Sequence, residues 1–249
     1  MSPGCCFAAL AASNRNMASV TSVEGIAELL HESALAGLRR AYEQVRVDPE
    51  KYLQRARRKY RLPIDQWSDM RFLDHRLIVP AARHIIKSSA RTAALEGAGL
   101  GFSGILGTVP DMGILAAITV RMLQKLSLVH GFEYSTGEET AALWFAAGSA
   151  AGLDFGREFL EKQAAEKLVP KIIDAVAVKM GAEFAEKWVG RIVPVLSAGV
   201  AGTLNYYFVR AWGRRAHRHF IERHGQGPLA APRAPLRLHA APVARLRPV

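Results

Sequence analysis

Asp111 and Arg121 are the two charges set in otherwise apolar sequence, where an unpaired charge is costly. Asp111 reads as a helix cap, and Arg121 as an arginine that lays its stem on apolar surface with its head in water. A hydrolase or peptidase-like site near Asp111 is the alternative. Residues 99–104 spell GxGxxG (Gly99, Gly101, Gly104). A dinucleotide-binding turn needs a strand before that motif and an acid about 20 residues beyond it. Here helical sequence precedes it, and Glu133 lies too far downstream. Ser103 and Ser149 have small neighbours, but neither completes the GxSxG turn that exposes a hydrolase serine. His217, His219 and His224 share a basic helix without a carboxylate cluster, so they are expected on the surface rather than around a metal. His130, near a helix C-terminus, reads as a favourable dipole contact. No catalytic, cofactor-binding or metal-binding residue is expected, and no cofactor.

The elements that must position these residues are helical. Half of the residues are apolar yet only 8% are aromatic, so Ala, Leu, Val and Ile supply the core. That composition suits helices packed through small side chains. Residues 97–132 form the centre: a glycine arm (Gly97, Gly101, Gly104, Gly107), then Pro110-Asp111, then an apolar arm carrying Arg121. Interior glycines cost a helix roughly 1 kcal/mol each, which makes sense where two backbones approach closely. The stretch is expected to be two packed helices joined at Pro110-Asp111, with Asp111 capping the second and Gly131 stopping it.

Around this centre, residues 23–45 place Ile26, Leu30, Ala34, Leu38 and Ala41 at helical spacing. Asp48-Pro49 marks a helix start, and Leu62-Pro63 the end of that helix. Ser135 and Glu138 spell a capping box for a helix with a Gly148, Gly152, Gly156 stripe. Pro170 starts another helix. Residues 192–209 are uncharged and about 27 Å long as a helix, just under a hydrocarbon thickness of about 30 Å, and a buried core helix fits the same facts equally well. From Arg210 onward nine arginines stand against one acid, Glu222, so +8 of the net +11 charge lies there. Arg210, Arg214, Arg215 and Arg218 are expected to contact anionic lipid.

The fold expected is all-α, a multi-helix bundle with glycine-rich apolar hairpins. It forms one domain over 23–224, with a flexible segment at 1–22 (Met17 being an alternative start) and a disordered Pro/Ala/Arg-rich tail at 225–249. The neighbouring Cys5 and Cys6 offer no disulfide framework, and no basic residue precedes the short apolar run around them. A secretory signal is therefore not read.

An ordered set of short motifs carries a family resemblance. It begins with Asp48, Pro49, Tyr52 and Leu53, and continues through the glycine arm, Pro110-Asp111, Arg121 and Gly131. Pro194, then Gly199, Gly202 and Asn205, and a basic helix with Phe220 and Arg223 follow. Over roughly 48–223 this resembles the EcsC protein family. His130 departs from the pattern, which commonly places Tyr there. The resemblance implies an all-helical, membrane-associated protein; the family's namesake is encoded beside an ABC transporter linked to secretion. A peptidase label attached to some members finds no protease constellation here. The expected function is that of a non-enzymatic accessory to a transport, secretion or envelope system, on the cytoplasmic side of the cell membrane and not secreted. Its partners would be the membrane, through an anionic lipid surface or inserted hairpins, and membrane transport proteins. A third reading, a basic helical nucleic-acid binder, lacks the interleaved aromatics that stack bases.

Overall fold

The computed structural model describes residues 23–44, 47–65, 67–100, 104–134, 137–153, 165–189 and 198–224. These are all-α: α1 (Val23–Gln44), α2 (Pro49–Tyr60), a 3-10 turn (Trp67–Phe72), α3 (His75–Leu100), α4 (Gly104–Val129), α5 (Gly137–Ala150), α6 (Ala165–Val189) and α7 (Ala198–His224). No strand occurs among the described residues.

Local chemistry sets several boundaries where the sequence places them. Asp48 caps α2 by accepting a hydrogen bond from the Lys51 amide at 3.1 Å, with Pro49 at the first helical position. That bond, chiefly, lowers the Asp48 pKa. Arg61 ends the helix in the left-handed region, and Leu62 and Ile64 then turn into the core. Gly131 stops the helical run after α4 at φ +82°, its amide bonding Leu128 O while the Phe132 amide bonds Ser127 O.

α4 is the hub, packed against α1, α2, α3, α5 and α7. It presents Met112, Leu115, Ala116, Val120, Leu123 and Leu126 to the core. The stretch expected to be central is central, but its joint lies elsewhere. Pro110 and Asp111 fall inside α4, so the two arms do not meet there and Asp111 does not begin the helix. Proline removes one backbone hydrogen bond, a local cost that burial of the helix outweighs. α3 ends at Leu100 and α4 begins at Gly104, and the two helices pack against each other.

Two further expectations are corrected. Gly152 is not part of a glycine stripe: it ends α5 at φ +76°, its amide bonding Ser149 O and the Leu153 amide bonding Gly148 O. Gly156 lies outside the described residues, as does Ser135 of the capping box. Pro170 sits within α6 rather than at its start, where buried Val169, Ile172 and Ile173 hold the turn. Of the uncharged stretch 192–209, the part from Ala198 onward belongs to α7, where Ala201, Leu204, Phe208 and Val209 are buried. The segments 1–22 and 225–249 and the residues Gly101 and Pro194 also lie outside the described residues.

Close backbone approach does occur. A Cβ on Gly37 of α1 would stand 2.3 Å from the carbonyl oxygen of Gly113 in α4. On Gly97 of α3 it would stand 2.3 Å from Asn205 Nδ2, and on Gly202 of α7 it would stand 2.6 Å from Ala94 O. Gly97, Gly202 and Asn205 thus form one contact between α3 and α7. Gly199, in the first turn of α7, is exposed and accepts a bond from the Thr203 hydroxyl.

Candidate functional site

The lower half of α7 buries Phe208, Trp212, Ala216 and Phe220 along one face. His217 and His224 flank that face seven residues apart, two helical turns, and so project to the same side. There they meet His130, just past the end of α4, and His75, at the start of α3. His130 Nε2 and His217 Nδ1 are 3.0 Å apart, and the His130 ring stacks on Phe220. His224 Nδ1 donates to His130 O at 2.9 Å and its Nε2 lies 3.2 Å from Leu73 O. The His75 and His224 rings cross edge to face at 5.0 Å.

This cluster corrects the surface reading of His217 and His224. His219 is half-buried as well, with Nε2 enclosed and without a hydrogen-bond partner among the described residues. Burial is the first cause that lowers the pKa values of His130, His217 and His219. His130, fully buried, is pushed down to about 2, with His217, His224 and His75 adding positive neighbours. His217 is lowered by burial, then by Arg83 and His75; His219 by burial, then by Arg223, with Glu222 opposing. The cluster therefore joins four histidine rings to one another and to backbone carbonyls. Among the described residues no group of three or more His, Cys, Asp or Glu is arranged to hold a metal ion.

His217 also opens onto a groove of about 940 Å³ between α3 and α7. Its cations are Arg83 and Lys87 from α3 and Arg210, Arg214, Arg215 and Arg218 from α7. Among the described residues no carboxylate lines it. Arg215 is held by Glu183 of α6, its Nη2 donating to both carboxylate oxygens at 3.1 Å, while Trp212 Nε1 donates to the same group. The remaining five form no ion pair among the described residues; Arg210 lies over the Tyr206 ring instead. Val79, Ile86 and Ile221 form an apolar wall.

All four arginines expected to meet lipid thus share one groove. The excess of arginine over acid from Arg210 onward signalled them; Arg83 and Lys87 were missed because nothing local shows that α3 faces α7. Arg121 does not join them. It is exposed on α4 near Lys125, whose pKa is lowered by burial first and then by Arg121, Arg55 and Lys59. Gly131 accepts a bond at its carbonyl from Arg71 Nε at 2.9 Å, which ties the end of α4 to the 3-10 turn. Gly104, Gly107, Pro110 and Asp111 lie in the backbone of α4, and their side-chain surroundings fall outside the described residues.

A model of the EcsC protein family matches residues 23–224, nearly the whole described region. No curated protein and no solved structure matches the chain.

Proposed function

This chain belongs to the EcsC protein family, and on that premise we propose that it is a non-enzymatic, membrane-associated accessory protein of a transport, secretion or envelope system. It docks peripherally on the cytoplasmic side, through the cationic face shared by α3 and α7. The observation that carries this reading is the groove itself, where Arg83, Lys87, Arg210, Arg214 and Arg218 lack acidic partners among the described residues. Each Lys or Arg brought near an anionic leaflet contributes about 1 kcal/mol, so five suffice for stable peripheral binding.

Peripheral docking is favoured over insertion by the place of the apolar helix. Only Met112–Val129 of α4, among the described residues, is long and apolar enough to cross a bilayer, and 67% of it is buried against the protein's own helices. A helix already covered by its own bundle gains little from lipid.

Sedimentation with vesicles tests the reading. Binding to vesicles containing phosphatidylserine, absent with neutral vesicles and reversed by high salt, is the expected result. Absence of binding to anionic vesicles, or tighter binding to duplex DNA or RNA under the same salt, refutes it.

A further inference from the structure

The contacts between α3 and α7 fix their register. Gly213 lies against Ile86, Gly202 against Ala94 and Ala98, and the His224 ring against His75, so the helices run antiparallel. In that register Arg83 and Lys87, one turn apart on α3, face Arg210, Arg214 and Arg218, at successive turns on α7. A step of four residues rises about 6 Å. The cations therefore form two stations about 6 Å apart along the groove. Arg83 with Arg214 and Arg218 brackets one, and Lys87 with Arg210 and Arg214 brackets the other. His217 lines the groove together with Arg83, Arg214 and Arg218, so the first station lies beside that histidine. One phosphate occupies one station and leaves the other cations repelling each other. Val79, Ile86 and Ile221 line the same groove.

We propose that the groove is a binding site for an amphiphile carrying two phosphate groups about one helical turn apart, one at each station, with its apolar part against Val79, Ile86 and Ile221. This rests on the membrane-surface reading of the same helices and narrows it from a charged face to a ligand. A two-phosphate lipid headgroup and a free bisphosphate share the chemistry.

The test compares the full chain on cardiolipin vesicles and on phosphatidylserine vesicles matched in total negative charge, with a soluble inositol bisphosphate as competitor. Binding to cardiolipin is expected to be about tenfold tighter, the scale of one added charge-assisted contact. The preference disappears in Lys87→Gln/Arg214→Gln and survives in Arg55→Gln/Lys59→Gln, which removes equal charge from α2. All four of these residues are exposed, so both variants keep the fold. Competition by the soluble bisphosphate supports the site with a free ligand as its source; lack of competition with the preference intact supports the lipid. Equal binding to both vesicle types, or equal loss in both double variants, overturns the two-station site and leaves the membrane-surface reading standing. Failure to bind either vesicle overturns both.

Discussion

Replacing His130 by Phe should flatten the acid dependence of stability. In the folded chain the His130 pKa lies at about 2, because the ring is buried beside three other imidazoles. In the unfolded chain it returns to about 6.5. Between those values the unfolded state binds a proton that the native state does not, so stability rises with pH across the window. The contribution is complete above about pH 6.5 and is lost progressively as pH falls below it. Linkage puts the loss from this one group at about 2 kcal/mol between pH 7 and pH 5. Phe keeps the stack on Phe220 and removes the titrating nitrogens. The assay is urea unfolding of both proteins at the two pH values. With a slope of about 3 kcal/mol/M for a chain of this size, the wild-type midpoint should fall by about 0.7 M more than that of the variant. Equal shifts in the two proteins would show that His130 titrates normally and that the cluster is open to water.

Two other substitutions test the packing and one cap. Gly37→Ala and Gly99→Ala make the same chemical change in two helices. The first forces a methyl to within 2.3 Å of Gly113 O, while the second meets nothing within 4 Å. Chemical denaturation should show Gly37→Ala destabilising by about 2 kcal/mol and Gly99→Ala stabilising by up to about 1 kcal/mol; equal effects would refute the α1–α4 backbone contact. Asp48→Ala should lower the denaturation midpoint through loss of the α2 cap, and an unchanged midpoint would mean that the Lys51 amide finds water just as favourable.

What could be read from the sequence divides along one physical line. Asp48-Pro49 and Gly131 were legible because a cap and a left-handed stop are decided by two or three adjacent residues. The four α7 arginines were legible because an excess of arginine over acid within one segment is local. Pro110 misled because its penalty is local, whereas the burial that carries α4 through it is not. The close glycine pairs could be foreseen as a kind but not as partners. Gly37, which meets Gly113, stood in no motif, while Gly99, within GxGxxG, faces open space. The histidine cluster was invisible for the same reason: His130 and His217 are 87 residues apart, and His224 reaches Leu73 across 151. His130 had signalled itself only locally, as a dipole contact and as a departure from the family pattern; its partner His217 is the residue at which the cluster joins the groove.

That join bears on why the groove keeps its charge. Arg83, Lys87, Arg210, Arg214 and Arg218 repel one another across a short span, and such self-repulsion works against the compact state. A sequence shaped by folding alone relieves it with acids at four-residue spacing, as Lys51 is met by Asp48 at three. On α7 the one acid is Glu222, and it does not line the groove; Glu183, from α6, engages Arg215 among the groove's cations. Beneath the groove, burial keeps His130 uncharged, so the core adds no positive charge from that residue. The destabilising charge is thus confined to the wall of an open cavity, where a bound anion removes the repulsion and adds its own contacts. A local feature that costs stability, on helices otherwise packed through small residues, is what a binding site looks like from the side of the fold.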